Sequence, residues 1–363
     1  MTLLDLVAGF FAPWIIYALM LALHLGLPAR KVVGYVRDVH TSELLQYRVN
    51  GPLVLATLVL VWIALGYSNL LAWDWLYVHR WSGLAGAAVL GLSFSLAVVL
   101  VTPSTGRSLL ADLYFGRELN RQFFANRLDA KMFLYMVGAT MLALNLLSFS
   151  AHHVLTFGWR GSPGVLLYGF LFLWFVVDYL LLEKVHLYTY DIFAERVGFK
   201  LGWGCLTFYP YFYAVGLWVT ADLPDPGTPG WPLAIFASVF FVGWSLARGA
   251  NMQKYFFKTQ PERAFLGLLK PTTVSDGTNT LLCGGFWAVS RHVNYLGEIL
   301  MATGLTLVLG QPGLWVVWLY PLYYVALLGT RERADERRCA AKYGDLWKEY
   351  ERRVPRRIVP WVY

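Results

Sequence analysis

Seven long apolar stretches, near 7–27, 51–73, 82–102, 132–151, 164–183, 200–220 and 231–248, alternate with short polar segments. A helix needs about 20 apolar residues to cross a hydrocarbon core, so each stretch predicts a transmembrane helix and the chain reads as an integral membrane protein. The first stretch is too long for the core of a secretory signal, carries Asp5 where such a signal is basic, and has no evident cleavage site, so it reads as retained. Beyond residue 281 the pattern changes. One more apolar run follows residue 312, but the segment before it carries Arg291, His292, Asn294 and Glu298. That segment predicts a polar half-helix buried in protein or facing a water-filled cavity, because lipid cannot solvate charge at such depth.

Lys and Arg set the orientation. Loop 28–50 carries Arg30, Lys31, Arg37 and Arg48; 103–131 carries Arg107, Arg117, Arg121, Arg127 and Lys131; 184–200 and 249–280 are similarly basic. The alternating loops 74–81 and 152–163 have only Arg80 and Arg160, and 221–230 has neither residue type. By the positive-inside rule the basic loops are cytoplasmic, and so is the basic tail from 331 onward. The expected fold class is all-α: a polytopic membrane protein of nine to ten transmembrane helices with a C-terminal cytoplasmic helical cap. We expect a membrane domain over 1–330, comprising N-terminal spans in 1–110 and a core over 111–330, and the cap over 331–363. An endoplasmic reticulum or a bacterial inner membrane satisfies this topology equally.

Composition narrows the function classes. The chain is 58% hydrophobic, 14% charged and 17% aromatic with 16 Trp, which excludes disorder and a nucleic-acid-binding arm. The net charge of +8 is mostly topological, a polyanionic ligand being the second reading. Cys205, Cys283 and Cys339 form neither a CxxC pair nor a disulfide framework, and no metal-ligand spacing such as HExxH occurs, so no metal is expected. No GxGxxG follows a strand pattern and no GxxxxGK[ST] is present, so any phosphate site must be built from helices and side chains.

Four groups of residues are candidates for chemistry. If 286–298 is one helix, Trp287, Arg291, Asn294 and Glu298 fall within about 60° of arc at 100° per residue, either as a buried polar site or as an internal Arg–Glu pair joining two helices. His292 points elsewhere, with an interhelical hydrogen bond as its default. The tail predicts a second helix, over 331–353, whose stripe of Asp335, Cys339, Tyr343 and Tyr350 suits an adenosine ribose or base, or else simple packing on the membrane domain. Asn251, Lys254 and Lys258 share a third face, where two ammonium groups either clamp phosphates or anchor anionic lipid. Finally Asp178, Glu183 and Asp191 gather at the exit of the fifth span, and Tyr213 lies deep in the sixth beside Pro210, which frees a backbone carbonyl.

The chain resembles the sterol reductases that act on carbon–carbon double bonds, the family of sterol carbon-14 reductase, 7-dehydrocholesterol reductase and the lamin B receptor membrane domain. The resemblance runs from about Leu110 to Tyr363. It is carried by Asp112-Leu113-Tyr114-Phe115-Gly116-Arg117-Glu118-Leu119-Asn120, by Lys131-Met132-Phe133, by the block Leu281 to Glu298, and by Asp335-Glu336, Lys342-Tyr343-Gly344, Val354-Pro355 and Pro360. It implies NADPH as cofactor, held by Lys254, Lys258, Leu282, Trp287, Arg291, Asn294, Tyr295, Asp335, Cys339, Lys342, Tyr343 and Tyr350. It also implies a sterol substrate in the bilayer, with Tyr213, Asp335 and Glu183 as the catalytic set, and reduction by protonation followed by hydride transfer, most simply at carbon-14 with carbon-7 or carbon-24 as variants. Lys258 stands where the family often has Arg, Arg121 where it has Pro, Cys205 where it has an acid and Glu298 where it has Asp. The alternatives are an S-adenosylmethionine-dependent membrane methyltransferase of the isoprenylcysteine or phospholipid type, with a similar Arg-His-x-x-Tyr-x-Gly block, and a non-catalytic sterol-binding membrane protein.

Overall fold

The computed structural model describes residues 2–38 and 41–363, in two compact units, Met1–Asp225 and Pro226–Tyr363. The first unit opens with α1 (Leu3–Gly26), started by a capping box in which the Thr2 hydroxyl accepts from Asp5 N–H and the Asp5 carboxylate accepts from Thr2 N–H. Asp5 is thus a helix start. Strands β1 (Arg30–Arg37) and β2 (Leu44–Val49) form an antiparallel ladder, and the helices α2 (Gly51–Tyr67), α3 (Arg80–Leu100), α4 (Ala130–Phe157) and α5 (Pro163–Leu181) follow. Helix α4 is the centre of this unit: 83% of its apolar stretch is buried, against 28% for α1 and 33% for α3, whose outer faces expose Phe11, Ile15, Leu92 and Leu96.

The expected sixth span is broken. Residues 199–220 form a short helix Phe199–Trp203, a π turn Gly204–Phe208, one helical turn Tyr209–Phe212 and a last piece Val215–Thr220. Pro210 has no N–H for the preceding turn, and the Leu206 carbonyl four residues back accepts the Tyr17 hydroxyl instead, at 2.6 Å. The Pro210 carbonyl accepts from the buried Asn145 amide at 2.9 Å.

The second unit holds α6 (Gly230–Thr259), the hairpin β3 (Thr273–Ser275) and β4 (Thr280–Leu282), then α7 (Val293–Val308), α8 (Leu319–Tyr343) and α9 (Asp345–Arg353). Helices α6 and α7 cross on small residues. A Cβ on Gly297 would lie 2.4 Å from Ala247 N, and one on Gly243 would lie 2.6 Å from Gly297 O, so only glycine lets the two backbones come this close. Helix α8 runs unbroken through residue 330 and stops at Gly344, whose φ is +54°.

The fold is mostly helical, as expected, with three short two-stranded antiparallel ladders among the described residues, the remaining one pairing Gln122–Phe123 with Leu128–Asp129. Among the described residues, α1, α3, α4, α5 and α6 are long and apolar enough to cross a membrane, while α2 and α7 are apolar but shorter. Replacing Gly297 with Leu should destabilise the protein by about 3 kcal/mol through overpacking. Thermal unfolding in detergent checks this, with Gly313→Ala, where a Cβ meets nothing within 4 Å, as the neutral control.

Candidate active site

The helix expected from about Phe286 does not form. Gly284 and Gly285 turn the chain sharply, Gly285 at φ +65°, into a single 3-10 turn, Gly285–Ala288, and α7 begins only at Val293. Trp287 and Asn294 therefore belong to separate elements. What holds the turn is Gln253 of α6, 2% exposed, whose amide accepts from Phe286 N–H at 3.0 Å and donates to Gly284 O at 3.2 Å. Next to it the Trp287 indole donates to Ala250 O at 3.0 Å, and Lys254 Nζ stands 5.8 Å from the Trp287 ring centre. Leu282 and Trp287 close an apolar cluster with Ala250 and Val293.

Arg291 forms an Arg–Glu pair, with Glu336 in place of the sequence-adjacent Glu298. Its Nε donates to Glu336 Oε1 at 2.8 Å, its Nη1 donates to the carbonyls of Val354 and Pro355 at 3.0 and 3.3 Å, and its Nη2 lies 3.8 Å from Glu351. The guanidinium is 4% exposed and engaged on every side by protein. His292 stacks on Tyr295 with ring centres 4.9 Å apart and places Nε2 3.4 Å from Glu336. In the first turn of α7, Asn294 Nδ2 lies 3.4 Å from Asn251 Oδ1, and its own Oδ1 is buried with no hydrogen-bond partner in the protein.

The tail helix is two helices. Asp335, Cys339 and Tyr343 recur every four residues on α8, and Tyr350 follows on α9 after the Gly344 break. Cys339, Tyr343 and Tyr350 nevertheless meet in one apolar cluster with Leu281 and Cys283 of the β4 segment. Burial pushes the Cys339 thiol up to about 12 and also raises Cys283 and the Tyr350 phenol, so none of them ionises near neutrality. Lys254 carries the electrostatic link between the clusters, for its ammonium interacts favourably with Asp335 and unfavourably with Arg338 and Lys342, while Lys258 is repelled by Lys254 and Lys342. This is a cationic patch with an acid and aromatic rings beside it.

Two of the three catalytic candidates lie in the first unit. Tyr213 ends the turn after Pro210, half-buried, edge-on to Tyr209 with centres 4.6 Å apart, and its main-chain oxygen accepts from the Tyr168 hydroxyl at 3.3 Å. Glu183 is 7% exposed and accepts from Gly51 N–H at 3.0 Å at the start of α2, where a helix terminus favours negative charge.

Comparison with known proteins assigns the chain to a family. The model for the ergosterol biosynthesis ERG4/ERG24 family matches residues 7–363. The chain belongs to that family, the sterol reductases. Among its relatives, a Delta(14)-sterol reductase of Arabidopsis thaliana is 36% identical over 72% of this chain and 68% of its own length. The Delta(14)-sterol reductase TM7SF2 of Mus musculus is 33% identical over 97% of this chain and 86% of its own. A probable 7-dehydrocholesterol reductase of Acanthamoeba polyphaga mimivirus is 28% identical over 96% and 81%.

Several structural residues of this family member have no role in the sequence reading. Gln253 holds the turn, and Glu336, named there only within a matching stretch, is the partner of Arg291; the signal available for Gln253 is one amide beside Asn251 and Lys254 on a largely apolar helix. In the first unit His152 bridges Asp74 and Asp222 at 2.9 Å each, with Tyr77 stacked on its ring and donating to Asp222. Those carboxylates are separated by well over a hundred residues of chain, which no local pattern connects.

Glu336→Ala should cost about 3–5 kcal/mol, because Arg291 is then left buried with its closest countercharge gone; chemical or thermal unfolding in detergent measures it. Burial works against the Glu336 carboxylate, but His292 and Arg291 outweigh it and hold its pKa below the ordinary 4.5. The depressed folded-state value means that its contribution is complete above pH 4.5 and is lost as the pH falls through the lower value. Stability measured from pH 6 downward should therefore fall near and below about pH 4.5 in the wild type and fall less in Glu336→Gln.

Proposed function

We propose that this chain is an NADPH-dependent sterol reductase that reduces a ring double bond, with carbon-14 as the favoured position. The observation that carries the proposal is the gathering, within the second unit, of Lys254, Lys258 and Lys342 beside Trp287, Asp335 and the Cys339–Tyr343–Tyr350 cluster. Like charges brought together on a protein surface repel, and a polyanion is what relieves that repulsion. The buried, unpartnered Asn294 Oδ1 adds an acceptor that asks for a donor from a ligand. These residues fit a pyridine dinucleotide: lysines for its phosphates, Asp335 for a ribose hydroxyl, Asn294 for a carboxamide or hydroxyl donor. The matched relatives named as Delta(14)-sterol reductases support carbon-14, and the family match across 7–363 favours a reductase over a methyltransferase.

NADPH, when bound, supplies the hydride. The protein's own part begins with the alkene, which is a poor hydride acceptor until it is protonated. Tyr213, or a carboxyl linked to it, is the proposed proton donor; protonation at one alkene carbon leaves a tertiary cation at the other. Aromatic side chains around Tyr213, namely Phe208 and Tyr209, exclude water that would otherwise capture the cation. On this reading the basic loops and the tail face the cytoplasm, where the dinucleotide is available.

Lysines recognise phosphate as point charges and not as the bidentate fork of arginine, but three of them still favour the extra phosphate of NADPH over NADH. Titration of the purified protein should give an NADPH affinity at least about tenfold above that for NADH, and Lys254→Ala and Lys342→Ala should each lose about tenfold for NADPH, or about 1.4 kcal/mol. Incubated with NADPH and a sterol 8,14-diene, the wild type should yield a product heavier by two hydrogens. Tyr213→Phe and Asp335→Ala should abolish that product while unfolding at the wild-type temperature, and full activity in both variants refutes the assignment.

A further inference from the structure

We propose that the closing segment, 354–363, is a positioning strap for the dinucleotide site, a claim that rests on the function proposed above. The turn at Arg291 and His292 precedes α7, and its backbone N–H groups have no helical carbonyl to bond. Arg291 N–H donates to Arg356 O and His292 N–H donates to Arg357 O, both at 2.9 Å. The Arg291 guanidinium grips the same segment one step earlier, through the carbonyls of Val354 and Pro355. The strap is fixed at its base by Val354 and Ile358, which are 1% and 5% exposed, and it closes on itself where Arg357 and Ile358 N–H donate to the main-chain oxygen of Tyr363 at 3.2 and 3.0 Å.

Helix α8 holds the strap's other side. Glu332, fully buried, takes the Tyr363 hydroxyl at 3.3 Å and faces Arg357 Nη1 at 3.7 Å, and Glu336 one turn later takes Arg291. Ligand atoms of His292, Glu332 and Glu336 lie within 4.8 Å of one another, which has the outline of a cation site. Charge decides against that reading, because Arg291 and Arg357 already balance the two carboxylates and an added dication would sit against two guanidiniums. The cluster is a clasp. It ties together two of the elements that carry proposed ligand contacts: Asn294 and Tyr295 stand two and three residues beyond the clamped His292, and Asp335 lies between the two clasp glutamates along α8. None of Glu332, Arg357 or Tyr363 belongs to the proposed ligand contacts, so their effect is on the placement of those that do.

The test uses the full-length protein in detergent with NADPH and a sterol 8,14-diene. Glu332→Gln and the milder Tyr363→Phe should raise the Kd and KM for NADPH, about tenfold for the first and about threefold for the second, while kcat and the sterol KM stay within about twofold. Hydrogen exchange should speed up in the peptide covering 289–295 and not in α6. Unchanged NADPH affinity alongside faster exchange there overturns the positioning role, and unchanged exchange in both variants overturns the strap itself. A wild type that takes up no dinucleotide refutes the functional reading, and the positioning role falls with it, while the exchange data still report whether the strap holds the turn. Stoichiometric zinc in the purified protein would overturn the charge argument.

Discussion

A guanidinium with 4% of its surface exposed must be satisfied from every direction, and the second unit is organised around doing so for Arg291. Its partners come from three places, α8 through Glu336, α9 through Glu351, and the strap through two carbonyls. A buried ion pair brings little net stability over an apolar replacement, because two charges must be stripped of water. What it brings is direction: the fork of donors fixes four main-chain and side-chain oxygens relative to the start of α7. The residues proposed to meet a ligand then stand on elements whose mutual placement is set by that pair.

The apolar part of the same unit obeys a different constraint. Small residues let the α6 and α7 backbones pack closely, the means by which apolar helices associate where lipid takes the place of water. Gly243, Ala247 and Gly297 make that approach possible, and it brings Asn251 within reach of Asn294. The glycine crossing of α6 on α7 and an amide pair one or two turns further along are thus parts of one arrangement. The first unit solves its own polar problem similarly, with Asn145 and Tyr17 absorbing the carbonyls that the Pro210 break leaves over.

Hydrophobic runs make α1, α3, α4, α5 and α6 legible, since a long helix satisfies every backbone group of such a stretch from within. The 199–220 segment carries the same hydrophobic content yet is cut by a π turn, and its warning sign was Pro210. The 286–298 segment is not one helix, and angular spacing takes no account of the break between the 3-10 turn Gly285–Ala288, entered through the left-handed Gly285 beneath Gln253, and the start of α7 at Val293. Tyr350 was placed on a stripe with Cys339 and Tyr343 by counting through Gly344. The helix stops there, and the three side chains meet through packing on Cys283 instead. Glu336 was invisible as the partner of Arg291 because forty-odd residues and a helix hairpin separate them, and ion pairing of that range leaves no periodic trace.

The distribution of partners separates two kinds of candidate residue. Arg291 and Trp287 give their donors to the protein itself, and Leu282 serves as packing. These residues thus help to build the frame around the proposed site. Lys254, Lys258 and Lys342 repel one another, while Asp335 attracts Lys254. A polyanion of the kind proposed above would relieve that repulsion. On the function proposed above, recognition by flexible point charges would leave orientation to Asn294 and the aromatic cluster around Tyr350, and the rigidity supplied through Arg291 would matter more than it would beside a preformed phosphate loop.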